Sequence, residues 1–170
     1  LRAITKYRIA KVRAIVLGGA RRQDSVHNGL RAVAGDSQLV LIHDAARPFI
    51  DKKIISAVIK EARVSGAAIV GVPVKATIKR VQGTGYRVQV KETIDRSNLW
   101  EIQTPQAFKK DLILAAYKKF GKTDVTDDAM LIEKMGKRVA IVRGSYDNIK
   151  ITTPEDLIVA EAIAKACKPE

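Results

Sequence analysis

The chain has 170 residues, of which 46% are hydrophobic and only 5% aromatic, so it can form one compact domain with an aliphatic core. Its net charge of +13 attracts polyanions, but it has no basic tail and no basic stretch interleaved with aromatic residues, which weakens the case for nucleic-acid binding. The single cysteine, Cys167, excludes an intrachain disulfide and predicts a cytoplasmic protein. No apolar run in the sequence is long enough to cross a bilayer, and residues 1–13 do not have the pattern of a signal peptide.

The first part of the chain alternates apolar runs with amphipathic stretches. Three runs predict strands: Val12–Leu17, Leu39–Ile42 and Ala67–Val74. Between the first two runs, Asp24 and Ser25 can cap a helix that ends near Gly35. A second helix is predicted from Asp51 to Gly66, since Asp is a good N-cap and Gly a good C-terminal end.

A pair of more polar runs follows. Thr77–Val81 and Tyr86–Thr93 flank the loop Gln82–Gly85, and β-prone runs around a glycine-containing loop predict a hairpin. Because these strands contain few apolar residues, we expect the hairpin to project from the core as an arm over about residues 77–93.

The last part of the chain returns to helices and strands. Thr104-Pro105 predicts the start of a helix, Thr126 the cap of another and Thr153-Pro154 the start of the last, with a strand at Arg138–Val142. Apolar strands that alternate with amphipathic helices predict an α/β domain with a mainly parallel sheet covered on both faces, which is a three-layer sandwich.

Polar clusters follow three of the predicted strands, at residues 18–25, 43–48 and 148–152. Ligands of open α/β sheets bind at the carboxyl ends of strands, so these clusters are candidates for a binding site. Each also has a structural interpretation: Gly18-Gly19 can be a turn, and Asp44 with Arg47 a local ion pair. The sequence shows no Ser–His–acid set and no Cys nucleophile beside a base, which favours a reaction without a covalent protein intermediate.

Six motifs together resemble one family, the 2-C-methyl-D-erythritol 4-phosphate cytidylyltransferases. They are GGARRQDSVHNGL, HDAARPF, PVKATIKR, IDRSNLWEIQTPQAF, TDDAMLIEKMG and NIKITTPEDLIVAE. They occur in the family's order from about Lys11 to Glu161, and six in order are far more specific than any one alone. The resemblance implies a Rossmann-like sandwich of the nucleotide-diphospho-sugar transferase type.

The resemblance also implies a nucleotide site. The backbone of Gly19 and the side chain of Ser25 would contact cytosine, although Ser25 is equally well interpreted as an N-cap. Asp44 and Ala45 would lie near the ribose and the metal-bound phosphates of CTP, with Asp44 as a candidate Mg²⁺ ligand and Arg47 as a further substrate contact.

The acceptor site implied by the resemblance involves the arm. The arm would cross to the partner in a homodimer, where Thr77 and Arg96 would bind methylerythritol phosphate. Lys150 would contact phosphate and stabilise the transition state, although a lysine on an edge strand often serves solubility alone. Three threonines would contribute to the pocket: Thr104, Thr126 and Thr152. Thr104 and Thr126 are also plausible helix caps.

The implied mechanism joins a phosphate monoester to the α-phosphate of CTP. Because the attacking oxygen is already ionised, catalysis needs cations and alignment rather than a base, and Mg²⁺ would gather the triphosphate. The family's pattern also has an early glycine-rich loop, LAAG-x-G-x-R, which this sequence lacks, so we expect an N-terminally truncated domain with little activity. Ala76 stands where the family usually has Asp.

Two alternative functions are also compatible with the sequence. Ribitol-5-phosphate cytidylyltransferase shares the fold and several motifs, but Ala46 and Lys79 favour the methylerythritol enzyme. The second alternative is an inactive remnant or a basic nucleic-acid-binding protein, which would bind random duplex DNA in a salt-dependent way.

Overall fold

The computed structural model describes residues 2–85 and 87–166. The predictions that involve Leu1, Tyr86 and Cys167 therefore lie outside the described residues. The described residues form six helices and six strands, in the order α1 (Arg2–Lys6), α2 (Arg22–Arg31), β1 (Leu39–Ile42), α3 (Lys52–Ser65), β2 (Ala67–Pro73), β3 (Ile78–Gln82), β4 (Gln89–Ile94), β5 (Trp100–Lys109), α4 (Lys110–Phe120), α5 (Ala129–Lys134), β6 (Ala140–Arg143) and α6 (Pro154–Ala166).

Four strands form the main sheet, in the order β1-β5-β2-β6. β2 pairs with β6 in parallel, whereas β5 is antiparallel to both β1 and β2. The strands β1, β2 and β6 therefore share one direction, but only one neighbouring pair is parallel. The prediction of a mainly parallel sheet is corrected on this point, because β5 occupies the position between β1 and β2.

Helices cover both faces of this sheet, which confirms the three-layer α/β sandwich. Helix α3 lies on one face, where Val58 and Ala62 are fully buried against Ala68 and Val70 of β2. The opposite core contains side chains of α2, α4, α5 and the sheet: Leu30, Val40, Ala67, Ile69, Phe108, Ile113, Ala116, Tyr117, Ala129, Leu131 and Ile132. Burying each large aliphatic or aromatic side chain contributes about 1.5–3 kcal/mol to folding.

Local sequence signals determine both ends of α3. The Asp51 carboxylate accepts a hydrogen bond from the Lys53 backbone N–H and so satisfies a free donor of the first turn. Gly66 ends the helix at φ 89°, a left-handed conformation that glycine adopts without steric cost. Both predictions for this helix are confirmed.

The predicted strand Val12–Leu17 is wrong. The segment has no regular secondary structure, and its apolar side chains are exposed, with Leu17 at 88%. A strand requires a neighbour to satisfy its backbone hydrogen bonds, and in the described part of the chain no strand pairs with this segment.

The predicted helix start at Thr104 is also wrong, because Trp100–Lys109 forms β5 and α4 begins only at Lys110. Strand β5 pairs on both sides, and these pairings override the local Thr-Pro signal. The missing N–H of Pro105 is tolerated because Thr104 and Pro105 lie in a bulge of β5. Between two successive residues of β2, the pairing partner on β5 changes from Gln106 to Gln103.

Two other helix starts differ from the prediction. Helix α2 begins at Arg22, and Asp24 accepts a hydrogen bond from the backbone N–H of the capping residue Arg21. The helix ends at Arg31 rather than near Gly35. Helix α5 starts after Asp128, so Thr126 is not its cap.

The arm is confirmed as a hairpin, with β3 and β4 antiparallel in a two-stranded sheet of their own. Val81, Val88 and Val90 of the arm are exposed. The last helix begins at Pro154 as predicted, although β6 covers Ala140–Arg143 rather than Arg138–Val142. In residues 2–85 and 87–166, no helix is both long and apolar enough to span a membrane.

Candidate active site

A cavity of about 550 Å³ lies where loops after two strands meet the start of α2. Asp44 and Arg47 follow β1, Lys150 follows β6, and all three line the cavity together with Arg22 of α2. These are the carboxyl ends of co-directional strands, where α/β sheets bind ligands. The volume lies in the range of small-molecule sites.

Asp44 lies at the centre of a group of cations. Its Oδ2 is 3.1 Å from Lys150 Nζ and 3.7 Å from Arg47 Nε, and its Oδ1 is 3.4 Å from Arg22 Nε. Desolvation alone would raise the pKa of Asp44, but the hydrogen bond from Lys150 and the charge of Arg22 outweigh it, so the pKa is lowered. Asp44 is therefore a carboxylate at neutral pH.

The loop after β1 is fixed by Thr104 and His43. The Thr104 hydroxyl accepts the Asp44 backbone N–H at 2.9 Å and bonds to His43 Nδ1 at 3.0 Å. His43 Nε2 in turn lies 3.0 Å from the Arg47 carbonyl oxygen, which can only accept. The proton of a neutral ring is therefore on Nε2, and Thr104 donates to Nδ1. His43 therefore has a structural hydrogen-bonding role.

The loop after β6 is fixed by a fully buried asparagine. Asn148 Nδ2 donates to Gln103 Oε1 at 3.1 Å and to the Thr104 carbonyl at 2.9 Å, both on β5. The Asn148 carbonyl accepts from Arg47 Nη1 at 2.7 Å. One residue therefore places the loop of Lys150 and the guanidinium of Arg47 in the same site.

The cavity also has an acidic wall. Asp127 and Glu133 line it. Both Asp127 oxygens are hydrogen-bonded, Oδ2 to Gln106 Nε2 at 2.8 Å and Oδ1 to the Met130 backbone N–H at 3.0 Å. Three cationic and three acidic side chains line the cavity, so its charge is balanced overall, and an anion would bind at the Lys150 and Arg47 side.

Arg22 has a second acidic partner. Its Nη1 donates to Asp128 Oδ2 at 2.8 Å, and Asp128 is fully buried. Burial lowers the pKa of Arg22, but the charge of Asp128 and the hydrogen bond to it outweigh this effect, so the pKa is raised. Tyr117 donates to Asp128 Oδ1 at 2.5 Å, and burial together with Asp128 raises the pKa of Tyr117.

Five of the residues proposed from the sequence line the cavity: Asp44, Arg47, Thr104, Thr126 and Lys150. Thr126 is exposed, with its hydroxyl 4.0 Å from Met130 Sδ. The hydroxyl of Thr104 already donates to His43 and accepts from Asp44, so it helps to orient the loop.

The other predicted nucleotide contacts lie elsewhere on the surface. The Gly19 backbone N–H donates to Ser25 Oγ at 3.0 Å, so the two groups satisfy each other. A Cβ on Gly19 would lie only 2.3 Å from Asp24 Cβ, which explains why glycine is needed at this turn. Ala45 is exposed in the turn between Asp44 and Arg47.

The structure places the remaining predicted residues outside the cavity lining. Thr77 and Arg96 are exposed at the base of the arm, where Arg96 Nη1 donates to the Lys75 carbonyl. Thr152 precedes α6, and its N–H and hydroxyl both donate to Asp156 Oδ2 of that helix, at 2.8 and 3.0 Å.

Within the described ranges, no three His, Cys, Asp or Glu side chains converge as a metal site. Asp44 is the carboxylate that lies beside both Lys150 and Arg47. Mg²⁺ commonly binds through one or two carboxylates, with substrate phosphates and water completing its shell. The residues therefore fit a Mg²⁺ ion that arrives with a polyphosphate.

Comparison with known proteins identifies relatives of one kind. The sequence profile of the 2-C-methyl-D-erythritol 4-phosphate cytidylyltransferase family matches residues 3–166. The chain is 55% identical to the enzyme of that name from Alkaliphilus oremlandii, over 95% of this chain and 68% of the relative. It is 50% identical to the one from Syntrophus aciditrophicus, over 94% of this chain and 68% of the relative.

Solved structures agree with these relatives. The crystal structure of 4-diphosphocytidyl-2C-methyl-D-erythritol synthase from Anaerococcus prevotii superposes with a TM-score of 0.84 at 37% identity, covering 96% of this chain and 74% of that one. The 2-C-methyl-D-erythritol 4-phosphate cytidylyltransferase from Thermus thermophilus superposes with a TM-score of 0.78, also at 37% identity, covering 87% and 71%.

Proposed function

The chain belongs to the 2-C-methyl-D-erythritol 4-phosphate cytidylyltransferase family, and we propose that the cavity around Asp44 is the part of its active site that receives the phosphates. The reaction transfers a cytidylyl group from CTP to 2-C-methyl-D-erythritol 4-phosphate and releases pyrophosphate, a step of non-mevalonate isoprenoid synthesis. The observation that supports the site is the convergence of Lys150, Arg47 and Arg22 on one carboxylate at the carboxyl ends of the strands.

The chemistry requires cations rather than a nucleophilic side chain. An oxygen of the acceptor phosphate attacks the α-phosphorus of CTP, and the bond from that phosphorus to the oxygen bridging the α- and β-phosphates breaks. Pyrophosphate leaves with that electron pair. No proton is removed, so the main barrier is repulsion between anions and their alignment.

Lys150 is the residue best placed to reduce that repulsion. Its side chain is 42% exposed and its Nζ lies 3.1 Å from Asp44 Oδ2, so the ammonium can turn to an incoming phosphate. Arg47 is more deeply buried and is fixed by the Asn148 carbonyl, so it offers a preorganised charge. Asp44 keeps these cations in place before substrate binds.

A divalent cation fits the same site. We propose that Mg²⁺ enters with CTP and that Asp44 is its protein ligand, with the triphosphate as its main ligand. Bound Mg²⁺ would neutralise part of the charge of the triphosphate. The acidic wall formed by Asp127 and Glu133 supports this proposal, because phosphates beside carboxylates need added positive charge.

The acceptor end of the site involves the arm. We propose a homodimer in which the arm reaches the partner's cavity, bringing Thr77 and Arg96 to the methylerythritol phosphate. Two features support it: both residues are exposed at the arm's base, and Val81, Val88 and Val90 lie exposed on a hairpin that is too small to be stable alone. The cytoplasmic location stays a prediction from the single cysteine.

The test is a comparison of acceptors. The protein as its organism makes it is incubated with CTP, Mg²⁺ and either 2-C-methyl-D-erythritol 4-phosphate or ribitol 5-phosphate, and products are identified by mass spectrometry. We expect one pyrophosphate per cytidylylated methylerythritol and a much slower reaction with ribitol 5-phosphate. Faster turnover of ribitol 5-phosphate would favour the alternative enzyme, and no product with either would contradict the proposal.

A further inference from the structure

A fully buried carboxylate lies next to the active site but outside the set of residues that the reaction directly uses. Asp128 precedes α5, is 0% exposed and shares its two oxygens between two donors. Oδ1 accepts the Tyr117 hydroxyl at 2.5 Å, and Oδ2 accepts Arg22 Nη1 at 2.8 Å. A buried charge is costly unless it is paired, so Asp128 and its two donors hold one another in position.

Arg22 connects this buried carboxylate to the cavity. Nη1 bonds to Asp128, while Nε of the same planar group points to Asp44 Oδ1 at 3.4 Å. A guanidinium has a fixed fork of donors, so fixing one edge determines where the other edge lies. Asp128 therefore determines the position of the positive charge that faces Oδ1 of Asp44.

The second oxygen of Asp44 has a different kind of partner. Oδ2 lies 3.1 Å from Lys150 Nζ, which the proposed reaction requires at a phosphate, and 3.7 Å from Arg47 Nε. When Lys150 leaves Asp44, the carboxylate loses its shortest cationic contact. Arg22 and Arg47, with the proposed Mg²⁺, must then offset the charge that would otherwise repel the incoming phosphates. Arg22 can meet this need without moving, because Asp128 already orients it.

We propose that Asp128 is a positioning residue that acts through Arg22: it keeps a cation on Asp44 while Lys150 transfers to the substrate phosphate. The kinetic part of this proposal rests on the proposed function. The placement of Arg22 rests on the structure alone. Tyr117 contributes by donating to the second oxygen of Asp128, which limits rotation of the carboxylate.

The test combines a structural and a kinetic measurement on the variants Asp128→Asn, Arg22→Lys, Arg22→Gln and the double variant Arg22→Gln/Asp128→Asn. Hydrogen exchange of the Arg22 Nε–H is followed by ¹⁵N NMR, with its signal assigned by its loss in Arg22→Lys. In Asp128→Asn, we expect this exchange to become about tenfold faster or more, because the guanidinium is released. Asp36→Asn is the matched control, since Asp36 is exposed.

The kinetic measurement is kcat with CTP and methylerythritol phosphate. Asp128→Asn should lower kcat on the order of tenfold to a hundredfold while unfolding cooperatively. The double variant should be no slower than Arg22→Gln alone, because Asp128 acts through Arg22. A purely structural role would give additive losses instead, and that result would overturn the proposal.

Three further outcomes are decisive. Unchanged Nε–H exchange in Asp128→Asn would overturn the placement of Arg22 by Asp128. If Asp128→Asn does not fold, Arg22→Lys decides, because an ammonium cannot replace two donors that face different carboxylates; wild-type kcat in that variant would overturn the proposal. If the wild-type protein turns over neither substrate, the proposed function fails, while the exchange measurement still tests the placement of Arg22.

Discussion

Asn148 connects the stability of the fold to the geometry of the site, so its replacement gives a sharp test. In Asn148→Ala, the buried acceptors Gln103 Oε1 and Thr104 O lose their donor. Each stranded acceptor costs about 1–3 kcal/mol. The substitution also removes Asn148 Oδ1, a buried acceptor with no partner among the described residues. Removing this unpaired oxygen stabilises the protein by about 1–3 kcal/mol. The net loss in unfolding free energy is therefore about 1–3 kcal/mol.

Two further variants separate hydrogen bonding from side-chain size. Asn148→Asp has the same shape but places a carboxylate oxygen against the Gln103 and Thr104 oxygens, so it should destabilise more than alanine does. Asn98→Ala is the matched control, because Asn98 is exposed in a turn, and its effect should stay within about 0.5 kcal/mol.

The assay is urea unfolding followed by the fluorescence of Trp100, the single tryptophan, which lies on β5 close to the affected bonds. Turnover at saturating substrate is measured on the same samples, because loss of Asn148 frees the loop of Lys150 and disturbs the carbonyl that accepts from Arg47. An Asn148→Ala protein with the unfolding midpoint and turnover of the wild type would refute this reasoning.

Three other predictions concern the acceptor site, the dimer and pH. Arg96→Ala should raise the KM for methylerythritol phosphate more than the KM for CTP, with Arg63→Ala on the exposed surface of α3 as control; equal changes in both KM values would contradict the acceptor role. Deleting residues 82–90 should convert a dimer to a monomer in sedimentation velocity, and an unchanged mass would refute the role of the arm. Because the pKa of Asp44 is lowered by folding, its stabilising effect is present above its unfolded pKa of about 3.9 and is lost as pH falls through the lower folded value. The difference in unfolding free energy between wild type and Asp44→Asn should therefore shrink on acidification below about pH 4, and a constant difference down to pH 2.5 would contradict it.

Local signals predicted the parts of the fold that depend on neighbouring residues. Asp51 and Gly66 set the ends of α3 through bonds within a few residues, so the sequence pattern was sufficient. Strand β5 was mistaken for a helix because Thr104-Pro105 resembles a helix start. Its strand conformation depends on pairing with β1 and β2, which lie far away in the chain.

The same difference between local and long-range signals applies to the candidate site. Asp44, Arg47 and Lys150 were predicted because polar residues at strand ends converge in this class of sheet. Arg22 lies in the predicted cluster 18–25, but its contact with Asp128 was not predicted, because the two residues are 106 positions apart and no local pattern connects them. Asn148 was noted only as a neighbour of Lys150. Its bonds to β5 span 44 and 45 residues and became visible only in three dimensions.

If the cation group at Asp44 carries out cytidylyl transfer, Lys150→Ala should lose it. Pyrophosphate release from CTP and methylerythritol phosphate is measured for wild type, Lys150→Ala and Lys60→Ala, the last at an exposed lysine of α3. Removing one well-placed donor to developing charge costs about a hundredfold or more in kcat, so we expect that loss in Lys150→Ala at unchanged stability. Lys60→Ala should match wild type. Near-normal kcat in Lys150→Ala would show that the reaction takes place elsewhere.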